Sequence, residues 1–272
     1  MVRFEGRNAI ITGSTQGLGA TLARRMVDEG LSGLVVTGRN AERGEAVAAE
    51  LAAGGCDAVF VAADMADAAS VEALIDRSRE RFGVVHHLAN CAALTTRGDV
   101  WDTTPEYFDE MMAVNLRSPF QLVQGVARML RDAGSPGTIV NVGSIAWHGG
   151  QPFITPYVMT KSGLVTMTKT VAYQLMRYGI RINIVNPGWM DTDGEDLIQR
   201  RFHGATDGWL ERAEADRPFG RLVKPAELVT TLAFVLSEDS GMMTGAVIDY
   251  DQSVPGAGDA PVPPVELGPD PT

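Results

Sequence analysis

Tyr157 and Lys161 stand four residues apart, with Ser144 thirteen residues upstream. An i,i+4 spacing puts the phenol and the amine on one face of a helix. An ammonium held there favours the phenolate, so a tyrosine that is normally inert as a base near neutrality approaches the working range. A serine hydroxyl close by holds a reacting oxygen by hydrogen bonding. Together the three side chains suit a reaction in which a proton moves off or onto an alcohol. The Y-x-x-x-K string alone occurs on many solvated helix faces, so its weight comes from what else the chain carries.

The N-terminal segment supplies the second feature. Asn8–Thr12 reads as a short buried strand, Gly13-Ser14-Thr15-Gln16-Gly17-Leu18-Gly19 as a glycine-rich turn, and Ala20–Glu29 as a helix. In that order they form a cradle for a pyrophosphate. Glycines let the backbone approach phosphate, and a helix N-terminus offers unpaired N–H groups. The spacing is G-x-x-x-G-x-G, not the G-x-G-x-x-G of the best-known dinucleotide fold, and alone it also fits a mere tight turn, the weaker of the two readings.

With these features in register, the chain closely resembles the short-chain dehydrogenase/reductase family over residues 5 to 250. Thr12–Gly19 matches T-G-x-x-x-G-x-G, and Asn90-Cys91-Ala92-Ala93 stands where N-N-A-G is usual. Asn115, Ser144, Tyr157 and Lys161 fall in order on the catalytic tetrad. Pro187-Gly188, with Thr192, matches the segment that closes over a nicotinamide. Cys91 and Ala93 depart from the pattern on the adenosine side.

The resemblance implies an NAD(P)-dependent oxidoreductase that interconverts a secondary alcohol and a ketone. Tyr157 is then the general acid in reduction and the base in oxidation. Lys161 lowers the tyrosine pKa and holds the nicotinamide ribose, Ser144 orients the reacting oxygen, and Asn115 fixes a water that relays the proton. The implied cofactor contacts are Gly13, Ser14, Gln16, Gly17, Leu18, Gly19, Arg39, Asp64, Met65, Asn90, Pro187, Gly188, Met190 and Thr192, with Tyr157 and Lys161. A homotetramer is implied too, assembled through the helices Pro105–Asp132 and Pro156–Tyr178.

Cofactor choice rests on Thr37-Gly38-Arg39-Asn40. A carboxylate there would bind the adenosine ribose hydroxyls and repel a 2′-phosphate, whereas a guanidinium receives that phosphate. The strand ends without a carboxylate and Arg39 follows, which favours NADP over NAD. A loop arginine stacked on adenine is compatible with NAD. Asp64 matches the position that hydrogen-bonds adenine, and it also suits a cap for its own loop.

Elements that position these residues are legible as alternating apolar runs and helical segments. Runs at Leu34–Thr37, Ala58–Ala62, Val84–Ala89, Thr138–Val142, Ile180–Val185 and Ala246–Tyr250 alternate with helices at Ala41–Ala53, Ser70–Phe82, Pro105–Asp132, Pro156–Tyr178 and Pro225–Leu236. Near-continuous apolar strands between helices predict an α/β fold: one doubly wound Rossmann-type domain, mostly a seven-stranded parallel sheet with helices on both faces. Ligands then gather at the carboxyl ends of the strands. The domain is expected over 1–253. Residues 189–222 interrupt the alternation and read as a substrate lid or a surface helix pair, and the Pro/Gly-rich stretch 254–272 reads as an extended tail.

Composition narrows the function classes. Among 272 residues, 45% are apolar, enough for one large core. There is no membrane-length apolar stretch and no leader pattern, and Cys56 and Cys91 read as free thiols, so a cytoplasmic setting is expected. A net charge of −11 argues against nucleic acid. No metal site is expected: His86 and His87 are adjacent, and His148 and His203 lack partners at ligand spacing.

For the substrate, His148, Gln151 and Trp189 are candidate contacts, with Trp147, Phe153, Asp191 and Asp193 nearby. Aromatic faces beside polar groups suit a small molecule such as a sugar, sugar acid or polyol. A 3-oxoacyl thioester or a cyclic ketone remains the alternative substrate, and a catalytically silent dinucleotide-binding regulator or a tail-recruiting scaffold the alternative class.

Overall fold

Burial on both faces is what turns the short apolar runs into a parallel sheet. The computed structural model describes residues 2–149 and 151–255. Its strands are β1 (Asn8–Ile11), β2 (Gly33–Gly38), β3 (Asp57–Ala62), β4 (His87–Asn90), β5 (Gly137–Val142), β6 (Ile180–Pro187) and β7 (Val247–Tyr250). They form one sheet in the order β3-β2-β1-β4-β5-β6-β7, and every pairing is parallel. The expected α/β Rossmann-type architecture is therefore present.

Alternation along each strand builds two cores. Ala9, Ile11, Leu34 and Val36 point to the side covered by α1 (Gly17–Asp28), α2 (Ala41–Ala53) and, late in the chain, α9 (Pro225–Leu236). Ile10 and Val35 point to the other side, beneath α3 (Ala68–Phe82) and α5 (Ser118–Ala133). Leu22 and Leu232 on one side, and Leu74 and Val126 on the other, are wholly buried. Truncating any one of the leucines to alanine costs about 2–5 kcal/mol. Strand order reverses between β1 and β4, and a crevice opens there at the carboxyl ends.

The helices α2 and α9 span the residues expected of them, whereas α1 and α3 begin earlier. Asp67 moves the start of α3, because its side chain accepts from Ala69 N–H. The segment expected as one helix over Pro105–Asp132 is divided. It comprises α4 (Pro105–Met112), a π turn over Ala113–Arg117, and α5. Pro119 explains the division: it has no N–H to offer the carbonyl of Asn115, and its ring crowds that carbonyl in a regular helix. Widening the turn relieves the clash, and Ser118 N–H donates to Ala113 O, five residues back.

The helix read over Pro156–Tyr178 is α6 (Thr155–Leu175), finished by a 3₁₀ turn at Met176–Tyr178. The interruption over 189–222 holds two helices, α7 (Asp193–His203) and α8 (Trp209–Ala215). No residue of α7 is buried, and Trp209 of α8 stacks on Trp189 with ring centroids 6.0 Å apart. Lys224 fastens the insertion by binding Asp191 at 2.8 Å and Glu214 at 2.6 Å. Most of the expected tail, 256–272, lies outside the described residues. Among the described residues, no helix is long and apolar enough to cross a membrane, and no three His, Cys, Asp or Glu side chains group as metal ligands.

Candidate active site

Residues from β1, β2, β4, β5 and β6 ends meet around one cavity of about 1760 Å³. Gly13 and Gly17 have φ of +64° and +55°, the left-handed region that favours glycine. A Cβ on Gly19 would lie 2.5 Å from the Gly13 carbonyl oxygen, so only glycine lets α1 start this close to the turn. The N-terminus of α1, at Gly17, Leu18 and Gly19, lines the cavity and has no side-chain cap. Its first N–H groups are thus available to an anion. The donor set fits a dinucleotide pyrophosphate.

One end of the cavity is lined by Arg39, Asn40, Arg43, Asp64 and Met65. Arg43, on the first turn of α2, donates to the Gln16 side-chain oxygen and so bridges helix and glycine turn. Asp64 accepts from Ala66 N–H at 2.9 Å, the loop cap, while still lining the cavity. Arg43 was not singled out by its sequence. A basic residue at a helix start runs against the macrodipole, and that was the available signal.

At the other end, Ser144 follows β5 and caps the 3₁₀ turn Ile145–His148 by accepting from Ala146 N–H at 3.2 Å. Tyr157 occupies the first turn of α6 and Lys161 the next, and all three line the cavity. Lys161 is buried, donates to Val142 O at 2.8 Å, and has its Nζ 5.5 Å from the Tyr157 ring centroid.

The expected lowering of the tyrosine pKa is not the net result. Burial pushes the phenol up to about 12, which outweighs the Ser144 hydroxyl and the Arg97 charge that favour the phenolate; Glu195 adds to the rise. Burial likewise pushes Lys161 down to about 8. Burial thus drives the two groups apart, the phenol above its ordinary value and the amine below.

Several anticipated contacts turn away from the cavity. Ser14 is wholly buried; its hydroxyl donates to Ile11 O at 2.6 Å and accepts from Thr37 N–H at 3.0 Å, stitching β1 to β2. The Asn90 amide donates to Asn141 at 2.8 Å, beneath the cavity floor. The Asn115 side chain is spent on Leu94, accepting from its N–H and donating to its carbonyl, both at 2.8 Å. The Asn115 backbone carbonyl is one that Pro119 cannot meet. Trp147 and Asp191 are held by Asp249 and Lys224 respectively. Gln16, Pro187, Gly188, Met190, Thr192, His148, Gln151, Trp189, Phe153 and Asp193 do line the cavity.

The structure adds residues that spacing did not reveal. Arg97 lies over Phe153, with 5.5 Å from guanidinium carbon to ring centroid, and donates to His203 Nε2 at 2.9 Å. The donor there is Nε; the terminal Nη2 stands 3.8 Å from Glu195, whose carboxylate accepts from Trp189 Nε1 and Gln199 Nε2 at 2.8 and 2.7 Å. Arg97 has no motif around it. Its position in the loop after β4, at a strand carboxyl end, was the only guide.

Asp249 was also missed. It is next to last in β7 and accepts from Trp147, Asn186 and His148. Burial alone would raise its pKa, but the hydrogen bonds from His148, Trp147 and Asn186 hold it below the usual carboxylate value.

Comparison with known proteins agrees with this geometry. A family model described as enoyl-(acyl carrier protein) reductase matches residues 13–253. Sorbitol dehydrogenase of Cereibacter sphaeroides is 28% identical over 256 residues, covering 92% of this chain and 98% of that one. A 3-oxoacyl-[acyl-carrier-protein] reductase of Staphylococcus aureus strain Mu50 is 30% identical, covering 89% and 95%. Among solved structures, a gluconate 5-dehydrogenase from Burkholderia cenocepacia, in complex with NADP and tartrate, superposes with a TM-score of 0.82 at 31% identity, covering 92% and 95%. Fold, glycine-lined turn and Ser/Tyr/Lys cluster converge with these likenesses: the chain belongs to the short-chain dehydrogenase/reductase family of NAD(P)-dependent oxidoreductases acting on alcohol and ketone groups.

Proposed function

We propose that this chain interconverts a secondary alcohol and a ketone on a polyhydroxylated small molecule, a sugar, sugar acid or polyol, with NADP(H). The observation that carries the substrate reading is the wall of the cavity around Tyr157. Aromatic faces of Phe153 and Trp189 alternate there with Arg97, His148, Gln151 and Glu195. Apolar faces pack against carbon-bound hydrogens, and the polar groups between them bind hydroxyls. Arg97 favours a sugar acid within that class, because a substrate carboxylate would pair with a guanidinium that Glu195 approaches only to 3.8 Å. The sorbitol and gluconate dehydrogenases among the relatives support the same class.

NADP is favoured by two guanidiniums, Arg39 and Arg43, at the adenosine end, where β2 closes on Thr37-Gly38 without a carboxylate. Bound there, the dinucleotide supplies the hydride acceptor or donor. Tyr157 moves the proton at the substrate oxygen, taking it in oxidation and giving it in reduction. Ser144 holds that oxygen, and Lys161 offsets the phenolate charge. Asn115, through its carbonyl, holds the water that passes the proton outward. Exposed Phe120 on α5 and Tyr173 on α6 support assembly of the chain as a homotetramer through those helices.

The test is a titration of NADPH and NADH, followed by rates on sugars, sugar acids, polyols and cyclic ketones. Tyr157→Phe is expected to keep dinucleotide binding while turnover drops by roughly 10² to 10⁴. Unchanged turnover removes the assignment of Tyr157. A second reading, reduction of a 3-oxoacyl thioester, has the Staphylococcus aureus relative in its favour. Activity on an acyl thioester and on none of the polyhydroxylated compounds would select it. Tight NADPH binding with no turnover on any substrate would select a silent regulator.

A further inference from the structure

Asp249 draws three donors onto one carboxylate at the end of β7. Trp147 Nε1 and Asn186 Nδ2 bind Oδ1 at 3.0 and 2.9 Å, and His148 Nε2 lies 2.8 Å from Oδ2. An ionised carboxylate only accepts, so His148 Nε2 carries a proton and donates it. That leaves Nδ1 as the acceptor of the neutral ring, and Nδ1 makes no hydrogen bond among the described residues. The flank of the ring is held as well: the Trp147 and His148 centroids are 4.0 Å apart. Yet His148 keeps 31% of its side chain exposed, and it lines the cavity that holds Ser144 and Tyr157.

A histidine serving only as surface has no use for such support. Three segments converge to fix this one: the 3₁₀ turn after β5, the end of β6 and the end of β7. The turn also sets the span. Four residue steps at the 3₁₀ rise of about 2.0 Å separate the Ser144 and His148 backbones by about 8 Å. A group held by His148 therefore sits several bonds from the oxygen held by Ser144.

We infer that His148, fixed by Asp249, is a specificity-determining residue that accepts a hydrogen bond from a second hydroxyl of the substrate, several bonds from the reacting carbon. Asp249 and Trp147 are positioning residues for it. The inference rests on the polyhydroxylated reading above and adds a location to it. Plain secondary alcohols have nothing to give Nδ1, so they are indifferent to the pair.

The experiment compares wild type, His148→Phe and Asp249→Asn on two sets of probes. Gluconate and sorbitol carry additional hydroxyls; cyclohexanol and 2-pentanol do not. His148→Phe is expected to lower kcat/KM on the hydroxylated probe that wild type prefers by roughly 10- to 100-fold, chiefly through KM, because that hydroxyl is left desolvated and unpaired. Asp249→Asn lowers it less, in the same direction. On the plain alcohols both variants are expected to lose at least about five-fold less than on that probe, and NADPH affinity is measured alongside. Equal losses on both probe sets, or none on either, overturn the role of His148 and leave the substrate class standing. A wild-type enzyme that oxidises the plain alcohols and neither hydroxylated probe overturns the substrate class, and the role of His148 with it.

Discussion

Replacing Lys161 by methionine isolates the coupling between amine and phenol. Lys161 Nζ lies 5.5 Å from the Tyr157 ring centroid, and burial sets the amine at about 8 and the phenol at about 12. The first proton lost by the pair therefore comes off near 8. It leaves either amine with phenol or ammonium with phenolate, and the pair samples both. Only the second arrangement removes a proton from an alcohol. Taking the 5.5 Å to the ring centre as the charge separation, Coulomb attraction at an effective dielectric of about 20 is worth about 3 kcal/mol, or about 2 pKa units, toward that arrangement. Methionine has similar reach and no charge.

In Lys161→Met the rising limb of kcat/KM for alcohol oxidation should therefore move from near 8 toward 12. At a fixed pH below the limb, a shift of about 2 units slows oxidation by about 10². Initial rates of nicotinamide reduction at saturating dinucleotide, taken from neutral to strongly alkaline buffer, give the limb directly. The Val142 carbonyl loses its donor, which costs about 1–3 kcal/mol, so Tm is measured alongside. A folded variant whose limb overlays that of wild type refutes the coupling.

Two further outcomes are expected. Exchanging both Arg39 and Arg43 for alanine should raise the Kd for NADPH by at least about 10-fold, since each charge-assisted contact is worth about 1.5–3 kcal/mol, and leave NADH nearly unaffected. Parallel losses for the two dinucleotides, read by nicotinamide fluorescence, would contradict a phosphate role. His87 bears on stability. Burial pushes it down to about 3 from 6.5, so the unfolded chain takes up that proton first as pH falls. Its contribution is whole above 6.5 and is lost on descending toward 3, at about 1.4 kcal/mol per pH unit. His87→Phe, beside Phe4 at 5.2 Å, should remove that slope from urea-unfolding free energies measured across the window. Identical acid slopes in the two proteins would count against it.

Strands that are buried on both faces announce themselves, and β2 and β5 lie where their apolar runs fall; β3, half-buried at the sheet edge, does so too. The glycine turn was equally plain, because Gly13, Gly17 and Gly19 each meet a backbone demand that other residues cannot. Ser144, Tyr157 and Lys161 were found because their order and spacing are constrained by one chemistry. Side-chain direction was harder. Ser14, Asn90 and Asn115 sit in the right stretches of chain, yet each spends its side chain on the fold. Arg97 lines the cavity from the loop after β4, and Asp249 holds His148 there from β7; no local pattern encodes either placement. The division of the helix at Ala113–Arg117 was encoded, by Pro119, in a segment whose amphipathic pattern suggested one continuous rod.

That wide turn has a consequence for length. It holds one residue more than regular winding needs. Wound regularly with the same number of residues, the segment would rotate everything beyond the turn by about 100° around the axis. Leu122, Val123, Val126, Met129 and Leu130 would swing sideways off the sheet, a quarter of the buried residues of one core. Pro119 and the residue count are therefore matched: the ring that bars regular winding keeps the extra residue inside the turn, and a segment free to wind regularly would unseat a whole helix.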